Sequence, residues 1–189
     1  MFLTERELIK QTITVRRKKY ATGLFWQPMG AGNTAHNYAK QLVKKTDKKY
    51  NLFTEYKSMV GLANSYNGAY TGMPSAAAEV VNSLSELVSF LGVFIVGKYF
   101  YLVAVRNGII IRDVLIEEED FARKTYTELM KIPDWSALFA PSSWGIPKSQ
   151  ERNIKDLITN GNFARLHPIN VVKSVIPSIL IAVLFIVFG

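Results

Sequence analysis

The chain has 189 residues, of which 49% are apolar and 20% charged, enough for one ordinary core or two small lobes. Cysteine is absent, which excludes disulfides, thiolate nucleophiles and zinc sites built on sulfur. The net charge of +8 lies in residues 1–60, with 12 Lys and Arg against 4 Asp and Glu; the rest carries 11 of each. A basic surface for a partner is therefore expected in the first third.

The N-terminal third begins without the apolar core of a secretory signal, so we expect it to stay in the cytoplasm. Gln11–Val15 and Tyr20–Met29 are predicted to be extended segments around a basic turn. The predicted partner-binding residues are those of the turn, Arg16, Arg17, Lys18 and Lys19. Anionic lipid headgroups or an acidic protein would suit them. Nucleic acid is disfavoured because no aromatic recognition motif accompanies the charges.

Thr34 is predicted to cap a helix that runs to Lys45, after a loop at residues 30–33. The glycines of this loop lack the third glycine of a dinucleotide fingerprint and the Gly-Lys-Ser/Thr of a P-loop, so no phosphate site is assigned there. Tyr50–Ala63 is predicted to be a strand. The following loop, Asn64–Gly72, is the predicted boundary between a basic α/β lobe (residues 1–72) and a second lobe (residues 73–170).

The second lobe is predicted to open with a helix after Pro74-Ser75. The apolar positions of that helix repeat at helical spacing, at Val80, Val81, Leu84, Leu87, Val88 and Leu91. Three apolar strands separated by Gly-Lys and Asn-Gly predict an antiparallel meander, at Gly92–Val96, Tyr99–Val105 and Ile109–Ile116. A helix, a short strand and another helix are predicted next, at Glu117–Lys131, Asp134–Phe139 and Gln150–Thr159. This order predicts an α/β fold with a mixed sheet and resembles the RNase-H-like half of actin-type folds.

The sequence contains few residue patterns that are typical of a catalytic site. An actin-type ATPase needs an acidic residue near its first hairpin, and Phe94–Tyr99 contains none. His36 and His167 lack partners at a metal-ligand spacing. The acidic run Glu117–Asp120 suits a metal, a basic partner or a solvated helix start. No catalytic, cofactor-binding or metal residue is predicted and a non-enzyme is preferred, with a membrane-anchored actin-type nucleotide-binding enzyme as the alternative.

The C-terminal region, residues 171–189, is predicted to be a transmembrane helix. Val175–Phe188 carries no charge and reaches about 20 Å as a helix, and the preceding residues add a turn toward the roughly 30 Å of a hydrocarbon core. Arg165, His167 and Lys173 place the preceding side in the cytoplasm. A buried core helix is the other interpretation. The span residues are Val175, Ile176, Ile179, Leu180, Ile181, Val183, Leu184, Phe185, Ile186, Val187 and Phe188.

Several segments together resemble a known family. Gly23–Met29, Gly92–Phe94, Tyr99–Gly108 and Ala140-Pro141 with Trp144 are similar to the PilO-like pilin accessory proteins of type IVb pilus systems. The resemblance covers most of residues 23–189. None of these segments is catalytic.

That resemblance implies a single-pass protein of the cell inner membrane with a cytoplasmic actin-like domain. Such a domain would serve type IV pilus biogenesis as a scaffold that docks the hexameric assembly ATPase and the polytopic platform protein. The implied partners also include the lipid bilayer, with a homo-oligomer left open, and no nucleic acid or cofactor is implied. The periplasmic part of the family has no counterpart in the sequence given.

Overall fold

A computed structural model describes residues 11–47, 49–159 and 161–170. The predicted transmembrane helix at residues 171–189 lies outside them. Within the described ranges, no helix combines the length and the apolar composition that a membrane crossing requires. Strands and helices alternate along these ranges, which confirms a mixed α/β fold.

The first lobe of the prediction contains three extended segments, a helix and a hairpin. These are β1 (Thr12–Val15), β2 (Lys18–Ala21), β3 (Phe25–Pro28), α1 (Ala35–Lys45), β4 (Leu52–Tyr56) and β5 (Met59–Ala63). Thr34 caps α1 as predicted, because its side chain accepts a hydrogen bond from the backbone of Asn37. The single strand predicted at Tyr50–Ala63 is wrong. Lys57 has a φ of +53° and reverses the chain there, so β4 and β5 pair as a hairpin.

The remaining elements follow the predicted order, and one short strand that was not predicted comes after them. They are α2 (Ala76–Ser83), β6 (Phe90–Val96), β7 (Tyr99–Arg106), β8 (Ile109–Ile116), α3 (Glu119–Met130), β9 (Ala137–Phe139), α4 (Ile154–Leu157) and β10 (His167–Pro168). The meander β6-β7-β8 is confirmed. Asn107 and Gly108 have φ values of +50° and +74°, as a type I′ turn requires.

Two predicted helices are shorter than their sequence patterns indicate. The first ends at Ser83, so Leu87, Val88 and Leu91 do not continue it. Leu91 belongs to β6 instead, because it pairs with Ala104 of β7.

The helix predicted at Gln150–Thr159 is four residues long in α4. Gln150, the first residue of the predicted helix, is extended instead, because its N–H donates to the carbonyl of Leu138 at 2.9 Å. In both regions, pairing with a distant strand prevails over local helical spacing.

The strands form two four-stranded sheets and one two-stranded hairpin. The orders are β10-β4-β5-β3, β8-β7-β6-β9 and β1-β2. Strand β9 runs parallel to β6, whereas the other pairs are antiparallel, so the second sheet is mixed as predicted.

Apolar side chains cover both faces of the meander sheet. On one face, Leu102 and Val114 pack with Tyr126 of α3 and with Trp144. On the other, Phe94 and Tyr101 join a larger cluster that includes residues of β1, β2 and α2. Strand β10 returns to the first sheet beside β4. The lobe boundary at residue 72 stays a prediction.

Candidate functional site

The predicted basic turn is a two-residue hairpin between β1 and β2. Arg16 and Arg17 both occupy left-handed backbone conformations, with φ values of +49° and +67°. Asn-Gly is the preferred pair at such positions, because other side chains cost roughly 1 kcal/mol or more each there. Arg16 and Arg17 are both exposed, so the strain does not serve internal packing. The turn therefore presents two guanidinium groups to solvent.

Lys18 differs from its neighbours in the turn. Its ammonium donates to the carbonyl of Gly161 and to Oδ1 of Asn162, both at 2.8 Å. The same Nζ lies 5.5 Å from the centre of the Tyr20 ring. Lys18 thus holds residues 161–162 against the hairpin, while Lys19 is exposed. The structure separates the four predicted residues into three that face solvent and one engaged in an internal contact.

A buried carboxylate lies near Lys18. Glu79 of α2 is 2% exposed and accepts a hydrogen bond from the N–H of Phe163 at 3.1 Å. Burial raises the pKa of Glu79, and the N–H of Phe163 and the charge of Lys18 partly oppose this. Glu79 also helps burial to raise the pKa of Tyr20. The inner side of the hairpin is thereby linked to α2 and to the segment that follows α4.

A cleft of about 390 Å³ lies between the hairpin and the Gly97 end of β6. Its lining includes Val15, Arg152 and Lys155. Glu151 also lines it, and its carboxylate accepts a hydrogen bond from the N–H of Ser142 at 3.0 Å. Hydrogen bonding from the side chain and then the backbone of Ser142 lowers the pKa of Glu151. In the part of the chain that the structure describes, no three His, Asp or Glu residues converge to hold a metal.

The acidic run at the start of α3 has internal partners. Glu117 forms an ion pair with Lys98, and Oε1 of Glu119 accepts a hydrogen bond from the indole N–H of Trp144 at 2.8 Å. Lys98 follows Gly97 in the β6–β7 turn, so this ion pair joins that turn to the residue that follows β8. Both carboxylates therefore have partners within the fold.

The two histidines both pack against Phe53. The ring of His36 stacks on it at 5.3 Å between centroids, and the ring of His167 lies at 5.8 Å. Nε2 of His36 donates to the carbonyl of Ile169 at 2.6 Å. These contacts hold the last described residues against α1 and β4.

Asp113 was missed by sequence reasoning and links the two parts of the fold. It lies on β8, is 7% exposed, and accepts four hydrogen bonds. The donors are the backbone of Gly23 (2.8 Å) and Leu24 (3.2 Å), the indole of Trp26 (3.0 Å) and the hydroxyl of Tyr101 (2.9 Å). The sequence feature that could have indicated it is a single carboxylate within the apolar strand Ile109–Ile116, because a buried carboxylate requires hydrogen-bond partners.

The described ends of the chain meet near the 3₁₀ turn Ser65–Asn67. The N–H of Gln11 donates to the carbonyl of Asn67 at 3.2 Å, and the N–H of Ile169 donates to the carbonyl of Asn51 at 3.0 Å. The side chain of Asn51 makes two hydrogen bonds with Ser65: its Nδ2 donates to Oγ at 2.7 Å, and its Oδ1 accepts from the backbone N–H at 2.9 Å. Contacts with Asn51 and with the loop Asn64–Gly72 therefore link Gln11 and Ile169.

Comparison with known proteins gives a match of fold. No family model matches the chain, and no curated protein matches its sequence. A solved structure described as the cytoplasmic domain of BfpC matches with a TM-score of 0.67 and 16% sequence identity. The match covers 85% of this chain and 98% of that domain. At this identity the likeness concerns the fold alone, which is similar to that of the BfpC cytoplasmic domain.

Proposed function

We propose that this protein is a non-catalytic component of type IV pilus biogenesis. The observation that carries the proposal is the shared fold with the BfpC cytoplasmic domain, which the match spans almost completely. The meander with β9 parallel to β6 supports the finer assignment to an RNase-H-like, actin-like domain. The apolar sequence 175–188 supports attachment to the inner membrane, with the folded part in the cytoplasm.

In this proposal the folded part docks the hexameric assembly ATPase, and the apolar segment brings it to the polytopic platform protein. The Arg16-Arg17 turn is the proposed contact for the ATPase. Two exposed guanidinium groups in a strained turn suit carboxylates of an acidic surface, since Arg forms bidentate pairs with them. Such charge complementarity speeds and orients protein encounters.

Charge reversal tests this contact. The variant Arg16→Glu, Arg17→Glu and Lys19→Glu should weaken capture of the assembly ATPase at least tenfold at low salt. Lys18 is left unchanged because its ammonium binds residues 161 and 162. Reversal of three other exposed cations, Lys40, Lys124 and Lys148, is the matched control. Equal capture by the two variants would reject the turn as the docking surface.

The alternative, a membrane-anchored actin-type nucleotide-binding enzyme, is tested separately. The cleft beside Gly97 is the place where such a ligand would fit, and Arg152 and Lys155 would attract its phosphates. Isothermal titration of the full chain with ATP and magnesium should give no binding heat. Micromolar affinity with turnover would replace the scaffold proposal with the enzyme.

A further inference from the structure

The position of Ile169 limits how far the described structure can lie from the apolar segment. Ile169 is held on both sides, through its N–H by Asn51 and through its carbonyl by His36. Six residue steps separate it from Val175, which is at most about 22 Å of extended chain. A membrane that contains the apolar segment must therefore lie within that distance of Ile169.

The surface around this point carries two exposed aromatic side chains. Tyr66 is 89% exposed and adjoins Ser65, which is hydrogen-bonded to Asn51. Tyr70 is 51% exposed, and Gly72 in the same loop donates its N–H to the carbonyl of Leu166 at 2.7 Å. Both tyrosines therefore belong to the loop that contacts Leu166, the residue before β10. Their hydroxyls and rings suit the boundary between water and lipid, where one end of the side chain is wet and the other apolar.

Positive charge accompanies the tyrosines. Lys49 is exposed and lies two residues before Asn51, so the two Cα atoms are within about 8 Å. Lys44 and Lys45 are exposed in the last turn of α1, which leads into the same connection. The connection from α1 to β4 contains one acidic residue, the exposed Asp47. The lysines outnumber it, so the net charge of this region is positive. A cationic surface of this kind is attracted to anionic lipid headgroups within a Debye length.

We propose that this exit surface, defined by Tyr66, Tyr70, Lys45 and Lys49, lies against the headgroups of an anionic bilayer. The inference rests on the proposed membrane attachment and adds to it the side of the domain that faces the lipid. Tyr66 and Tyr70 lie at headgroup level, and the lysines contact lipid phosphates. The Arg16-Arg17 turn is at the other end of β1 from Gln11, about 16 Å away, which leaves it accessible to a soluble partner.

Site-specific labelling of the full chain tests this surface, and the absence of native cysteine makes single labels straightforward. The variants Tyr66→Cys and Tyr70→Cys carry an environment-sensitive fluorophore in vesicles of phosphatidylcholine and phosphatidylserine. The controls are Ile95→Cys and Ile109→Cys, which replace apolar residues that are 48% and 36% exposed. Position 109 is remote from the exit surface. Its neighbour Ile110 contacts Met59 at one end of β5, whereas Ala63 at the other end of β5 is hydrogen-bonded to Asn51.

The expected result is a blue-shifted emission and quenching by headgroup-attached quenchers at positions 66 and 70, with neither effect at positions 95 and 109. A second variant, Lys45→Glu with Lys49→Glu, should reduce the shift at position 66 in anionic vesicles and leave it unchanged in neutral ones. Reversal of Lys124 and Lys148 is its control and should change neither.

The outcomes separate the two proposals. A chain that floats with vesicles while labels at 66 and 70 remain water-exposed would overturn the exit surface alone. Protection at 95 or 109 in place of 66 would overturn it in favour of another face. A chain that does not float with vesicles would overturn the membrane attachment and this surface with it.

Discussion

Replacing Asp113 with alanine should be among the most destabilising single changes in this fold. The carboxylate accepts hydrogen bonds from four groups, and they come from both the β2–β3 region and the meander. Alanine removes all four acceptor contacts at once. Three of the four donors remain buried, since Leu24 is 4% exposed, Trp26 7% and Tyr101 0%, whereas Gly23 is half-buried.

The expected loss follows from the energy of each contact. A buried donor left without an acceptor costs about 1–3 kcal/mol, so the three buried donors give a sum of about 3–9 kcal/mol. Two effects reduce this sum. Burial raises the pKa of Asp113, so its removal also relieves a cost of desolvation, and water can enter the space. We therefore expect a decrease of roughly 3 kcal/mol in the free energy of unfolding.

Urea unfolding monitored by tryptophan fluorescence measures this loss, since Trp26 is itself one of the donors. Tyr101→Phe removes a single donor and leaves the other three, so it should cost only about 1 kcal/mol. Glu86→Ala changes an exposed carboxylate and should stay within about 0.5 kcal/mol. The reasoning is refuted if Asp113→Ala costs no more than Tyr101→Phe.

Two further predictions concern other buried groups. The pKa of Glu79 is raised in the folded protein, so its protonated form contributes to the free energy of unfolding. This contribution is complete at pH values below the ordinary pKa of glutamate, and it is lost as the pH rises through the raised pKa. Wild type should thus lose stability relative to Glu79→Gln across that interval in urea titrations, and a relative gain would contradict the assignment. Trp144→Ala should cost about 3–5 kcal/mol, because Trp144 is 3% exposed, stacks on Phe100 and makes an edge-to-face contact with Tyr126. Trp135→Ala, at a half-buried position, should cost clearly less by thermal unfolding, and equal losses would argue against the packing described.

Some elements could be predicted because neighbouring residues alone specify them. The Asn107-Gly108 pair supplies two left-handed conformations, and a type I′ turn between apolar strands follows from that. Thr34 accepts a hydrogen bond from the backbone N–H of Asn37, three residues later in the first turn of α1. Such contacts act over a few residues, so the sequence contains both partners within one short window.

Other predictions failed because a distant partner changed a local preference. The helical spacing that reaches Leu91 ends at Ser83, since Leu91 gains a partner in Ala104 of β7. Likewise, the alternation at Tyr50–Ala63 fits one strand or two, and the reversal at Lys57 selects two. Periodicity reports which side chains are apolar, and it does not report which strands will pair.

The sequence by itself determined the uneven charge, the basic turn, the meander and the apolar C-terminal segment, because residues close together in the chain specify each of them. Only the tertiary structure decided that Lys18 faces inward, that Asp113 joins two regions some 90 residues apart, and that hydrogen bonds link residues 11, 51, 65–67 and 169. Those contacts depend on where the folded backbone brings remote residues together. Hydrogen bonds of 2.7–3.2 Å require that placement, and no local pattern encodes it.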